Sequence, residues 1–587
     1  MAKLLLMVIV AALAVAAFSV FALREASAGS DLKVTVNTPS NHAPDGECEG
    51  DPNEGSGDCT LGEAILEANA GRADIINFRK SVFPKANPGV IYIDQEQTRN
   101  AELDGINGND GCLPPLEAQV LIDSGNTGVI LDGDFDNDGD AQDCSDSDVW
   151  GTKTFPVANR EGVIQVYANK NGFDFTLIGG KNFIIREFDG ETDGINFNGR
   201  EIDDDAPDHI LGDILITGYI FQDGDIDDES DLYDSQDGID LDEIDKVINA
   251  QFTNNNITAD DDGIEVNASG DKSCFVADAG AAGEPIEECF KISSSSVLIN
   301  ENTILADFDD TAAGDGVQVV YDAHLNGKIL VEVIDNPSIA SKDADAVDIE
   351  YCDAGEGCDA GQSEINIDVS RNNKLHGGES GGNSCVEIDI EADEGPNSAG
   401  STDVSVDVND NGLCDAGGGD GYVIQVDICC DASFSTATVN VNGNDDIIAD
   451  EDGVDLELEV GCGDGNEINA SVSDNRNIEG QGNGGGHGVV IEANAGEASD
   501  GCTGTDTESD ENAINVLLND NGRIDGGDAQ AVDISGTAGA DADGNGDDNV
   551  WTVAAKGNGR IHGQEQGILI DIVAGSEEGD DGDDNIA

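Results

Sequence analysis

Residues 434 to 460 read FSTATVNVNGNDDIIADEDGVDLELEV, three short runs of alternating apolar and polar residues broken by Asn442-Gly443 and Asp452-Gly453. Alternation at period two marks strands with one face buried, and Asn-Gly and Asp-Gly supply turns because glycine tolerates positive φ. Related versions stand at 252–266, 297–319, 332–349, 472–492 and 553–571. A unit repeated in this way covers its apolar face only by stacking on its neighbours, so the repeat predicts one coil of a parallel β-helix. In VDLELEV, Val454, Leu456, Leu458 and Val460 are expected inside the rod and Asp455, Glu457 and Glu459 outside it. That alternation sets register, since a slip of one residue would bury the carboxylates.

Apolar residues expected to match from coil to coil are Phe188, Phe221, Ile257, Ile304, Ile339, Leu375, Leu413, Ile447, Ile478, Ile524 and Ile561. Each interval holds three strand signals and no helical periodicity, which excludes a βα repeat. Eleven coils at about 4.8 Å each give a rod of roughly 50 Å. Residues 181–575 carry the regular repeats, 81–180 read as irregular opening coils, and 576–587 is an acidic tail.

The formal net charge is -99, from 124 Asp or Glu against 25 Lys or Arg, yet 38% of the chain is hydrophobic. That is too apolar for a disordered polyacid, and so negative a surface repels nucleic acid and anionic membranes. Cations are its natural companions. Residues 1–28 begin with Lys3, run apolar from Leu4 to Leu23 and close on Ala26-Ser27-Ala28, the pattern of a signal peptide cleaved after Ala28. The alternative is an uncleaved anchor, the apolar run being just long enough to span a bilayer. Cleavage would leave a secreted or surface-held protein with no membrane insertion. Its oligomeric state is not readable from the sequence.

Fourteen cysteines suit an exported, disulfide-supported chain. Close pairs are Cys48 with Cys59, Cys274 with Cys289 and Cys352 with Cys358. Adjacent Cys429 and Cys430 are expected to bond to different partners, Cys414 or Cys385 among them. No CxxC pair or interleaved histidine supports zinc.

Residues 29–80 combine a strand-like KVTVN, an acidic loop between Cys48 and Cys59, the stretch TLGEAILEANA and a second strand over Ile75–Phe78. Leu61, Ala64, Ile65 and Ala68 follow helical spacing, and Thr60 with Glu63 forms a capping box. Cys59-Thr60-Leu61-Gly62-Glu63-Ala64-Ile65, with Ala68-Asn69 and Asp74-Ile75-Ile76-Asn77-Phe78 behind, resembles the CSLREA domain, an N-terminal module of secreted bacterial and archaeal proteins. Thr60 stands in place of that motif's serine and Gly62 in place of its arginine. The resemblance covers roughly fifty residues and implies an extracellular right-handed β-helix with this helix as N-terminal cap; it brings no catalytic residues. The same role follows from the residues, because the first coil of a solenoid exposes an apolar end that something must cover.

The sharpest local motif is DGDFDNDGDAQDC at 132–144. Asp134, Asp136, Asp138 and Asp140, with Asp143 replacing the missing bidentate glutamate, match the opening of a calcium loop, in which alternate oxygens wrap one hard cation. A looser copy lies at 541–549. Aligning the coils produces a second feature, an outward column of Asp240, Glu265, Gln318, Asp348, Glu387, Val423, Asp455, Val490 and Asp533. Like charges about 4.8 Å apart repel by about 1 kcal/mol even in water, so the column calls for bound cations, high salt or splayed side chains.

Many β-helices resemble pectate lyases or polygalacturonases, and Thr192-Asp193-Gly194, Asp260-Asp261-Asp262 and Gly486-His487-Gly488 are similar to fragments of polygalacturonase motifs. Seven coils are expected between Asp262 and His487, whereas glycoside hydrolysis needs carboxylates a few ångströms apart. A lyase needs a basic residue beside calcium, and only Arg186 and Arg371 fall in well-formed coils. The sequence therefore points to an extracellular structural or adhesive β-helix, calcium- or carbohydrate-binding, with polysaccharide or cell-surface components as partners. Two alternatives stay open, a polysaccharide lyase or hydrolase of the same fold and an acidic salt-adapted surface protein needing no metal.

Overall fold

The computed structural model describes residues 32–39, 48, 59–93, 113–133, 142–143, 149–150, 153–154, 162–167, 172–189, 192–198, 210–222, 237–242, 244, 246–269, 292–306, 314–322, 325–352, 358–359, 363–378, 382–393, 401–429, 434–461, 465–481, 486–496, 511–539 and 549–574. The signal-like segment, the acidic tail and residues 541–548 lie outside them. Among the described residues no helix is long and apolar enough to cross a membrane.

The chain is a parallel β-helix. In the coil that carries the opening unit, strands Thr436–Asn442, Asp446–Ala449 and Val454–Val460 follow one another. The first two belong to a 25-stranded sheet and the third to a 13-stranded sheet whose main path holds twelve strands, one more than the eleven coils expected. Pairing from coil to coil is parallel, as in Tyr422↔Val454 and Val454↔Val489. Val454, Leu456, Leu458 and Val460 are fully buried, as the alternation requires. Inside, each stacks on the equivalent residue above and below, Leu456 between Ile424 and Ile491. Burying such side chains stabilises the rod by about 1.5–3 kcal/mol each.

Two matched positions need correction. Leu375 pairs with Cys414, not Leu413, and Cys414 pairs with Ile447; Cys414 is fully buried while Leu413 is half-buried. Phe221 pairs with Ile185, and Phe188 lies in a separate short strand beside Gln142.

The bends are held by ladders. Asn255, Asn302, Asn336, Asn372, Asn411, Asn444, Asn475, Asn521 and Asn558 occupy one corner in successive coils. Each follows a residue at positive φ, such as Asn254, Glu301, Asp335, Arg371 and Asp410. The N–H of Asn411 donates to Oδ1 of Asn444 at 2.9 Å, while Nδ2 of Asn444 donates to the carbonyl of Val408 at 2.9 Å and to Oδ1 of Asn475 at 2.9 Å. A second corner carries Thr402, Ser435, Asn466, Asn512 and Asn549, linked in the same sense. These ladders satisfy buried backbone groups that strand pairing leaves open at the bends.

The expected helix is Leu61–Asn69, with the capping box between Thr60 and Glu63 formed in both directions. It packs on strands Lys33–Val36 and Ile75–Phe78, the first two rungs of the larger sheet, and so covers that end of the rod. Cys48 bonds to Cys59, as expected. Cys385 bonds to Cys414, so neither is the partner of Cys429 or Cys430. Cys352 is disulfide-bonded.

Candidate metal centre on an acidic sheet face

A third corner, leading into the 13-stranded sheet, is built from carboxylates. Asp193, Asp237, Asp262, Asp315 and Asp345 occupy it in successive coils, followed by Ser384, Asp420, Asp452 and His487. The backbone N–H of Asp237 donates to Oδ1 of Asp193 at 3.0 Å, that of Asp262 to Asp237 at 2.7 Å, and that of Asp345 to Asp315 at 2.8 Å. The N–H of Asp315 donates likewise to Asp262, and that of Ser384 to Asp345. The glycine after most of these aspartates is required sterically, since a β-carbon on Gly453 would lie 2.5 Å from Cγ2 of Ile478 in the next coil. This ladder runs opposite to the asparagine ladder, because each carboxylate accepts from the coil that follows it. A carboxylate has no N–H to return; the second oxygen of Asp193 accepts from Nδ2 of Asn196 at 3.0 Å and that of Asp315 from Nε2 of Gln318 at 3.2 Å, both in the neighbouring column.

That column is the one expected from the alignment. Asp240 pairs with Glu265, Glu265 with Gln318, Gln318 with Asp348, Asp348 with Glu387, Glu387 with Val423, Val423 with Asp455, Asp455 with Val490 and Val490 with Asp533. Its expected exposure does not hold throughout: Asp240 is 3% and Asp348 7% exposed. Alternation tells which side of a strand a residue occupies, not what packs over that side.

Charge distribution separates the two sheets. The strands of the 13-stranded sheet contain no Lys, Arg or His. Several carboxylates on the larger sheet and its corners have cationic partners, such as Asp132 with Arg186 at 2.7 Å, Asp335 with Arg371 at 3.0 Å and Glu364 with Lys328 at 2.6 Å. On the smaller sheet the acids face one another. Burial, reinforced by neighbouring acids, drives Asp237 and Asp262 well above the usual carboxylate range. The same causes push Asp348 up to about 9, Asp455 to about 7 and Asp389 to about 6. For Asp420, burial dominates and lifts it to about 6.

Among the described residues two groups come close enough to hold a metal ion. One oxygen from each of Asp193, Asp237 and Asp240 lies within 4.8 Å of the others, and the same is true of Asp237, Asp262 and Glu265, so Asp237 is common to both. Nδ2 of Asn196 donates to Asp193 at 3.0 Å and also to Asp240. All the donors are hard oxygens, the set that suits calcium or magnesium rather than zinc or copper.

Of the sequence-predicted ligands, Asp134, Asp136, Asp138 and Asp140 lie outside the described residues. The backbone of Asp143 is described, in the short strand Gln142–Asp143 paired with Phe188–Asp189. Asp193 and Asp262, read from the sequence as motif fragments, instead flank Asp237, which sequence reading missed although Asp237-Gly238 repeats the Asp-Gly turn. His487 is six coil steps from Asp262, not seven. Its Nδ1 lies 3.0 Å from Asp452 and its Nε2 3.0 Å from Gln530. Arg186 and Arg371 pair with Asp132 and Asp335, away from the acidic face. No family model, curated protein or solved structure matches the chain.

Proposed function

We propose that this protein is a secreted structural or adhesive β-helix whose smaller sheet is a cation-carrying face, binding calcium and, across it, acidic polysaccharide of a cell surface or matrix. The observation that carries this reading is the absence of Lys, Arg and His from the strands of that sheet while carboxylates stack from coil to coil. Repulsion on that scale needs counter-ions. Calcium tolerates the variable oxygen geometry that stacked Asp and Glu present. An extracellular setting fits the disulfides Cys48–Cys59 and Cys385–Cys414, and the N-terminal helix fits the CSLREA resemblance. The test is retention on immobilised polyuronate. Binding is expected in calcium and not in chelator, with no new reducing ends or unsaturated products; release of such products would sink the non-enzyme reading.

One observation favours a glycoside hydrolase as the second reading. Asp455 stands between Val423 and Val490 in its column, and its carboxyl, pushed up to about 7 by burial and then by Asp452 and Asp420, suits a general acid. On that reading D455N abolishes hydrolysis of an acidic polysaccharide while leaving binding unchanged.

A further inference from the structure

We infer that two copies of this chain associate end to end through the last coil, strand edge against strand edge. The inference does not depend on the cation-carrying face. Strands Val550–Lys556, Arg560–His562 and Ile568–Ala574 form that coil. Among the described residues each of the three pairs with one strand only, that of the preceding coil. Their outer edges therefore keep unpaired N–H and C=O groups, a template for pairing with another chain.

The side chains at this end belong to interior columns. Ile568 and Ile570 stand in register with Val532 and Ile534, which are fully buried, yet Ile568 is 38% and Ile570 46% exposed. Val553 and Ile561 follow fully buried Val516 and Ile524 and are themselves only half-buried. Gly567 agrees with them. It occupies the place of Gly453 and Gly488, where an added β-carbon would lie 2.5 Å from Cγ2 of an isoleucine in the next coil, whereas a β-carbon on Gly567 would meet nothing within 4 Å.

Charge and topology select a second copy as the occupant. Residues 549–574 carry no net formal charge, Lys556 and Arg560 balancing Glu565 and Asp571, in a chain whose total is -99. The apolar end is thus also the place where two such chains repel least. Residues 575–587, which continue the chain, hold six Asp or Glu and one large apolar residue, Ile586, a composition ill-suited to covering isoleucines. The opposite end of the rod is covered by helix Leu61–Asn69, which blocks stacking of head on tail. The open end therefore meets its equal. A two-fold axis across the rods sets the edges antiparallel, and such an isologous contact closes at two. Repulsion along the acidic rods opposes it, so added salt strengthens it.

The experiment is sedimentation equilibrium of the full chain over a range of concentrations, at low and at high sodium chloride, run beside I570D and G567R, each checked by circular dichroism. The parent is expected to reach twice the monomer mass and no more, with the dimer fraction rising with salt. Both variants are expected to weaken association by about tenfold or more. Because the position of Gly567 is open in the single chain, G567R carries the test if I570D disturbs the last coil. A parent that stays monomeric throughout, its end covered by residues 575–587 or by nothing, refutes the proposal. So does assembly beyond two copies, or a dimer that both variants leave unchanged.

Discussion

Replacing Asn444 with alanine is expected to destabilise the rod by about 3 kcal/mol, since the change strands several buried groups at about 1–3 kcal/mol each. The N–H of Asn411 loses its acceptor and the carbonyl of Val408 loses its donor, both at a bend where strand pairing offers no replacement. Oδ1 of Asn475 loses one of its donors as well. Because each rung of a solenoid leans on its neighbours, the damage should be local. Hydrogen exchange of the Asn411 amide is expected to accelerate far more than that of Asn521, three rungs away. Asn444→Asp keeps the acceptor for Asn411 and loses the donor to Val408, so an intermediate loss is expected. Equal exchange in parent and alanine variant would show that the ladder contributes nothing to stability.

Loss of the Cys385–Cys414 bond is the second large effect. The bond closes 29 residues of separation, for which chain entropy gives about 3.5 kcal/mol. Its position explains how to recover that loss. At the equivalent place in neighbouring coils a glycine packs under an isoleucine of the next coil, Gly421 under Ile447 and Gly453 under Ile478. The cystine joins two successive coils at that place, with Cys385 in the glycine position and Cys414, in the next coil, in the isoleucine position. C385S/C414S should therefore unfold at markedly lower guanidinium concentration. C385G/C414I, which restores the packing of the other coils, should recover at least half of the difference. A double serine variant as stable as the parent would contradict the entropic estimate, and a glycine–isoleucine variant no better than double serine would contradict the equivalence of the two pairs.

Much of the architecture was readable because period-two alternation is a direct consequence of strand geometry, and Val454 to Val460 carry it without interruption. The outward column was readable for the same reason. The slip at Leu413 has an identifiable cause: Leu413 and Cys414 are both apolar, and hydrophobicity alone does not choose between them. The asparagine ladder would have chosen. Asn336 precedes Ile339 by three residues, Asn372 precedes Leu375 by three, Asn444 precedes Ile447 by three and Asn475 precedes Ile478 by three, and that spacing from Asn411 selects Cys414. The site was less legible. Asp-Gly read as turn chemistry, which it is, but the turn also presents the carboxylate to the N–H of the adjoining coil. Only the register shows that Asp193, Asp237 and Asp262 are vertical neighbours, because loops of unequal length separate them in sequence.

The acid face also sets how stability should respond to pH. Asp389, Asp420 and Asp455 have folded values of about 6, 6 and 7, raised from 3.8, mainly by burial. Groups raised in this way bind protons more tightly when folded, so their stabilising contribution is present below the unfolded value and is lost as pH rises through about 6 to 7. On the proposed reading of the face, bound cations would offset that loss. The most direct measurement is the thermal midpoint between about pH 5 and pH 8 at fixed high sodium chloride, once in calcium and once in chelator. The expected result is a midpoint that falls with rising pH in chelator and stays higher in calcium, the gap widening toward pH 8. Superimposed curves would contradict a cation-carrying face and leave salt adaptation as the explanation of its charge.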